Sequence, residues 1–203
     1  MSHDTKFEDA CDREFRWPRK GDQPFKKSEN AGWNAEIEQR PHGRLVMMVE
    51  GYKLGAEMMV ERSRNDRFDR AALVYPIIFN YRHFIELSLK YIIAIYGPSV
   101  GVEANWKTHD LSILWTTFTE VLTGYGHAEL DVTDPAVSVI VAEFAKVDPG
   151  SFSFRYPVDR CGKRIPISHE ELDLEALADV ICGLHAYFMG CDGYLDSLQN
   201  AGP

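Results

Sequence analysis

The sequence predicts an all-α fold: a bundle of about five helices with an irregular N-terminal arm and a short extended ribbon before the last helix. Three observations point there. Apolar residues recur at spacings of three and four in successive segments, which places each set on one helix face. Glycines, prolines and capping residues fall between those segments. Apolar residues make up 45% of 203 residues, enough for a single-domain core.

Residues 1–40 read as an arm. They mix charges of both signs with Pro18, Gly21, Pro24 and Gly32, and they hold Phe15, Trp17, Phe25 and Trp33, which plain linkers lack. An arm pinned by its aromatics is expected, followed by a helical bundle over 41–203. From Arg44, the stripe Leu45, Met48, Val49, Tyr52, Ala56, Met59 and Val60 predicts the first helix. Asp69 to Tyr96 predicts a second, about 40 Å long if continuous. Pro76 lies near its first turn or kinks it, and Gly97 and Pro98 stop it. Thr108 or Asp110 caps a third helix with Leu111, Leu114, Trp115, Phe118 and Leu122 along one side, ended by Gly124 and Gly126. Asp134 as cap and Pro135 as first helical residue open a fourth, with Val137, Ile140, Val141 and Phe144 inward, although the β-branched run could also form a strand. Ser168 with Glu171 forms a capping box for the last helix, carrying Leu174, Leu177, Ala178, Ile181, Leu184 and Phe188. Before it, SFSFRYP alternates and Gly162 suits a tight turn, which predicts the ribbon.

Charge narrows function. Twenty-two Lys and Arg face thirty-one Asp and Glu, a net charge of -9, the wrong sign for a surface that coats itself in phosphates. Any anion site is therefore local. Residues 151–164 sum to +3 through Arg155, Arg160, Lys163 and Arg164 against Asp159, whereas residues 165–203 carry seven acids and no Lys or Arg. The first residues lack the apolar stretch of a signal peptide, and no run resembles a membrane span, so a soluble cytoplasmic protein is expected. Four separated cysteines without a CxxC pair signal neither a disulfide framework nor a zinc ribbon. Cys182 and His185 lie three apart on a helix without two further ligands, so no metal and no cofactor is expected. The GxSxG, GxxxxGK[ST], GxGxxG and HExxH patterns are missing.

The chemistry-bearing stretch is YPIIFNYRHFIELSLKYIIAIYG. It is apolar nearly all round except where Arg82, His83, Glu86 and Lys90 share an arc of roughly 100°. As a solvated strip these would be ordinary i,i+4 pairs worth about 0.3–0.5 kcal/mol each. Lining a cleft, the same groups would act on a ligand, with desolvation tuning His83. His109 and Asp110 stand where the third helix begins; Asp110 explains itself as a cap, and His109 is a candidate partner for the strip. FRYPVDRCGKR concentrates cations beside Phe154 and Tyr156, a composition suited to phosphate contacts and base stacking, or to neutralising the acidic last helix. Candidate catalytic residues are thus Arg82, His83 and His109, and candidate ligand contacts are Glu86, Lys90, Arg155, Tyr156 and Arg160. A phosphate would meet Arg82 with a group from elsewhere, such as His109 or Arg155.

RHFIELSLKYIIAIYG, then THDLSILW, then FRYP, resembles the core of HEPN domains over roughly residues 70–160. The resemblance implies a bundle of four or five helices, homodimerisation, and a role in prokaryotic toxin–antitoxin or antiviral defence, some members being metal-independent RNases. The family's catalytic arginine and histidine, separated by four to six residues, match only at Arg164 and His169, where Ile165 and Pro166 break a helix and the polar residue after the arginine is missing. The expectation is therefore a HEPN-like module that binds RNA, a nucleotide or a protein partner, acts as a homodimer and does not enter membranes. The alternative is a non-catalytic interaction subunit docked on a larger protein.

Overall fold

The computed structural model describes residues 20–127 and 133–201. The chain divides into two units, Met1–Ile37 and Glu38–Pro203. In the first, a 3-10 turn over Ala31–Trp33 is opened by Asn30, whose side chain accepts from the Gly32 amide. Ser28 and Asn34 exchange two hydrogen bonds around it. Phe25 and Trp33 are exposed, so polar turns order this stretch and the expected aromatic pinning does not occur at these two rings. Phe15, Trp17, Pro18 and Cys11 lie outside the described residues.

The second unit is a bundle of five α-helices: α1 (Pro41–Ser63), α2 (Arg67–Tyr96), α3 (Leu111–Gly124), α4 (Thr133–Val147) and α5 (Leu174–Ala201). The long helix α2 is its axis. Asp66 caps it by accepting from the Asp69 amide at 2.8 Å. Ile77, Tyr81, Phe84, Ile85, Leu89, Ile92 and Ile93 are buried around its circumference, because α1, α3 and α5 pack on it from different sides. A helix apolar on all faces belongs in such a centre. Pro76 lies inside α2, well past the first turn, and removes one helical donor there.

Helix α2 ends in a 3-10 turn over Gly97–Val100, closed by Gly101 in the left-handed region at φ 77°. Asp110 caps α3, its Oδ1 accepting from the Ser112 amide at 2.8 Å. Two expected starts need correction. Asp134 is not the cap of α4, which already includes Thr133; its buried carboxylate instead accepts from Tyr187 Oη at 2.6 Å and pairs with His127 Nε2 at 2.9 Å. Helix α5 is opened by Asp173, whose Oδ1 receives the Glu175 and Ala176 amides, and not by Ser168 and Glu171, which precede it in irregular chain. The β-branched run of α4 is helical, and no strand occurs among the described residues. The ribbon is one antiparallel bridge between Val158 and Arg164, with Asp159 Oδ1 ordering the turn and Gly162 at φ 76°.

Helix α5 contributes Leu174, Ile181, Leu184, Phe188 and Leu195 to the core. By length and composition alone it is apolar enough to cross a membrane, although Asp179 and Asp192 interrupt it short of an uncharged run of membrane length.

Candidate functional site

The ionic strip of α2 faces inward. Arg82, Glu86 and Lys90 are 0%, 1% and 4% exposed. Bare burial of such charges would be prohibitive, so each is paired. Arg82 Nη1 donates to Glu86 Oε2 at 3.1 Å, its Nη2 to the His109 carbonyl at 2.6 Å, and its Nε to the Asp148 carbonyl at 2.9 Å. Lys90 Nζ donates to Glu86 Oε1 at 2.9 Å and to the Trp106 carbonyl at 3.4 Å. Asp148, buried at the end of α4, supplies the second carboxylate, with Oδ2 3.6 Å from Arg82 Nε. Two buried cations thus face two buried carboxylates. Burial pushes Glu86 up, but hydrogen bonds from Lys90 and His109 outweigh it and hold the carboxyl below its ordinary range.

This network fixes the loops above it. Residues 106–109 are held at both ends, by Lys90 on the Trp106 carbonyl and by Arg82 on the His109 carbonyl. The loop after α4 is held by Asp148, whose Oδ1 receives the Phe152 and Ser153 amides while its carbonyl is bound by Arg82. Within that loop Ser151 is in the left-handed region at φ 58°, an uncommon conformation for a residue other than glycine and one that persists where its surroundings over-determine it.

One member of the network reaches water. The His109 side chain is 57% exposed, yet its Nδ1 lies 2.8 Å from Glu86 Oε1. With a carboxylate on that side, Nδ1 is the donor of this contact and Nε2 is the ring nitrogen that it leaves free. A buried carboxylate orienting an exposed imidazole is an arrangement suited to proton transfer.

The other predicted residues gather around Phe79. His83 stacks on Phe79 at 5.7 Å between centroids and 10° between planes, and meets Tyr52 edge-on at 4.4 Å. Burial there lowers the His83 pKa, the Glu86 charge opposing and Lys90 and Arg82 assisting. Across Phe79, the Arg155 guanidinium sits 5.1–5.7 Å from the centroids of Phe152, Phe79 and Tyr156. Arg155, Phe152 and Tyr156 are exposed, so this cation with its rings forms a surface platform.

The predicted residues therefore sort by depth. Arg82, Glu86 and Lys90 have no surface on which to meet a ligand; they position loops, which corrects the expectation that Arg82 acts on a phosphate and that Glu86 and Lys90 bind one. His83 is half-buried and its imidazole is spoken for by Tyr52 and Phe79, so Arg82 and His83 do not form a pair of chemical groups. His109, Arg155 and Tyr156 reach the surface. Arg160 stands exposed on the ribbon turn, outside both clusters. Arg164 pairs with Val158 in the bridge and His169 lies in the irregular chain beyond it, so no helix joins them, as their intervening residues imply. Sequence reasoning missed Asp148, whose only local sign is the turn-forming Asp-Pro-Gly, and Phe79, which reads as one more core aromatic. Among the described residues no cluster of His, Cys, Asp and Glu is arranged to hold a metal ion.

No protein-family model, curated protein or solved structure matches this chain.

Proposed function

We propose that this chain is a HEPN-like module that binds single-stranded RNA or a nucleotide through the exposed His109 and the Arg155 platform, in a prokaryotic defence or toxin–antitoxin setting. The observation that carries the reading is His109, an exposed imidazole braced by a buried glutamate, set by the same guanidinium that shapes the loop bearing Arg155. Two segments of the resemblance meet in the buried network, RHFIELSLK through Arg82, Glu86 and Lys90 and THDL through His109, while FRYP provides Arg155 and Tyr156 of the aromatic platform. Bases would stack on Phe152 and Tyr156, and phosphates would meet Arg155. If the bound RNA is cut, His109 Nε2 would take the 2′-hydroxyl proton as O2′ attacks the adjacent phosphorus and would return it to the 5′-oxygen as the P–O5′ bond breaks, leaving a 2′,3′-cyclic phosphate and a 5′-hydroxyl with no metal required. The defence setting, cytoplasmic location and homodimer rest on the resemblance alone.

End-labelled single-stranded RNA, titrated at low salt and followed by anisotropy and on gels, tests this. Arg155→Ala should weaken binding at least fivefold, and His109→Ala should leave binding largely intact while removing any cleavage. Wild-type protein that neither binds nor cuts RNA would remove the reading.

The second reading, an interaction subunit, draws on a different surface. Helix α1 exposes Met47, Leu54 and Met58, and α5 exposes Val180, Met189 and Leu198. His185 Nε2 at 3.2 Å from Glu50 sets these helices side by side. Protein capture unaffected by Arg155→Ala but lost with Met58→Glu would favour it.

A further inference from the structure

Helices α1 and α5 lie side by side and antiparallel. Arg64 Nη1, just past the end of α1, is 3.7 Å from Glu175 Oε1 at the start of α5, and further along His185 Nε2 is 3.2 Å from Glu50 Oε1. Leu54 and Met58 follow Met47 by seven and eleven residues, which puts all three on one line of α1. Met189 stands one turn past His185, and Met47 one turn before Glu50, so the two methionines continue the same seam from opposite sides. All four side chains belong to residues between 57% and 66% exposed. Cys182 and Ala186 beside them on α5 are exposed as well. Only 17% of the most apolar stretch of α5 is buried, so its apolar character exceeds what the bundle uses. An uncovered apolar strip of this kind marks a docking surface. Methionine suits one that takes a helix, because its unbranched thioether chain adapts to the shape laid on it.

Charge decides what is laid there. Over residues 41–64 and 174–201, seven acids face four Lys and Arg, and none of the four is on α5. Lys53 is bonded to Glu57 at 2.6 Å and Arg64 to Glu61 at 2.6 Å, while Arg62 leaves the seam to pair with Asp69 of α2 at 2.7 Å. The fourth, Arg44, donates to the carbonyls of Glu38 and Gln39 before the start of α1. Glu175 has only a share of Arg64, and the exposed Asp179 has no cationic partner among the described residues. A second copy laid on this strip would bring the acids of α5 against those of another α5. An anionic lipid surface would meet the same repulsion, with no Lys or Arg on α5 to offset it. A cationic helix is attracted by the acids and covers the apolar strip at once.

We propose that the seam between α1 and α5 is a docking site for a basic amphipathic helix of a partner protein. The apolar side of that helix lies on Met47, Leu54, Met58 and Met189, and its lysines or arginines meet Glu50, Glu175 and Asp179. The proposal gives a chemistry to the interaction-subunit reading, on which it rests, and uses none of the groups of the RNA reading.

Calorimetry on the full chain tests it with two helical peptides about five turns long. One is built of leucine and lysine with the leucines on one side, and the other carries glutamate in place of lysine. The lysine peptide should bind one to one with a micromolar Kd at physiological salt, and the glutamate peptide at least twentyfold more weakly. Met58→Lys and Met189→Lys should each weaken the lysine peptide at least tenfold. Val139→Lys, the same charge change at an exposed position of α4, should alter it less than twofold, with helicity by circular dichroism unchanged in all three. A glutamate peptide bound as tightly, equal weakening by Val139→Lys, or indifference to both methionine substitutions would overturn the proposal. So would self-association in sedimentation, or capture by phosphatidylglycerol vesicles, that replaces peptide binding and is lost in Met58→Lys. Failure of the lysine peptide to bind while Met58→Glu still removes protein capture would sink the basic helix alone, and indifference of capture to Met58→Glu would take the interaction reading with it.

Discussion

At the scale of single residues, Arg82 decides most. Its guanidinium satisfies Glu86, the His109 carbonyl and the Asp148 carbonyl from a position without solvent. Arg82→Met keeps the volume but leaves Glu86 with only Lys90 and His109 and takes from the buried Asp148 its one cation. Removing one member of a buried ion cluster costs about 3–5 kcal/mol, so urea unfolding should show a loss of that size, while a loss under 1 kcal/mol would mean water reaches the network. The pH dependence of stability separates two further residues. Burial holds the folded His83 below its ordinary 6.5, so the unfolded chain takes up that proton first as pH falls. His83 therefore makes no difference well above 6.5, and below it the folded state loses stability until the folded imidazole titrates. In His83→Phe, which retains the stack on Phe79, this decline should vanish between about pH 8 and 5. Glu86 has the opposite logic: its folded carboxyl is held below 4.5, so its contribution is present above 4.5 and lost as pH falls through the folded value. Glu86→Gln should consequently flatten the most acidic part of the curve and, by removing the charge that opposes the lowering of His83, deepen the His83 limb.

At the scale of elements, local signals placed the helices and long-range contacts moved their ends. The stripes of all five helices were legible because a 3.6-residue period is a property of consecutive residues. Asp110 was legible as a cap because its partners are the amides two and three residues on. Asp134 was not, because the group that claims its carboxylate, Tyr187, is 53 residues away. The Ser168 and Glu171 signature lost to Asp173, which has the same capping chemistry a few residues closer to the first apolar stripe residue, Leu174. The stop after α2 has a reason beyond helix breaking. A Cβ on Gly97 would lie 2.4 Å from the Val102 carbonyl oxygen, which accepts no displacement without opening the turn, since Val102 donates back to the Gly97 carbonyl at 2.9 Å. Gly97→Ala should therefore lower stability by about 1–3 kcal/mol, as overpacking does. A thermal melt equal to wild type would mean the turn relaxes freely.

At the scale of the whole molecule, the proposed RNA reading asks a chain of net charge -9 to hold a polyanion. The strip on α2 was legible as four ionisable groups on one face, but its inward direction was not, because periodicity says nothing of what covers a face, and its cover comes from Asp148, 66 residues on. Once Arg82 and Lys90 are spent inside, the cations of the segment that bears the platform are Arg155, Arg160, Lys163 and Arg164, all exposed. RNA binding must then be a local electrostatic event against an unfavourable overall field. Each phosphate neutralised on a single strand contributes about -0.7 to the slope of log K against log salt, so four cations set a slope of about -3. Arg160→Ala, which touches neither the buried network nor the aromatic platform, should bring it to about -2 and weaken binding at low salt without changing the fold. Anisotropy titrations between 25 and 200 mM salt, on the order of the range where such slopes are linear, measure this directly. A slope near zero would assign the binding to stacking and hydrogen bonds alone, and a slope unmoved by Arg160→Ala would place the phosphates away from the ribbon and on the His109 loop, where Lys107 is the next cation.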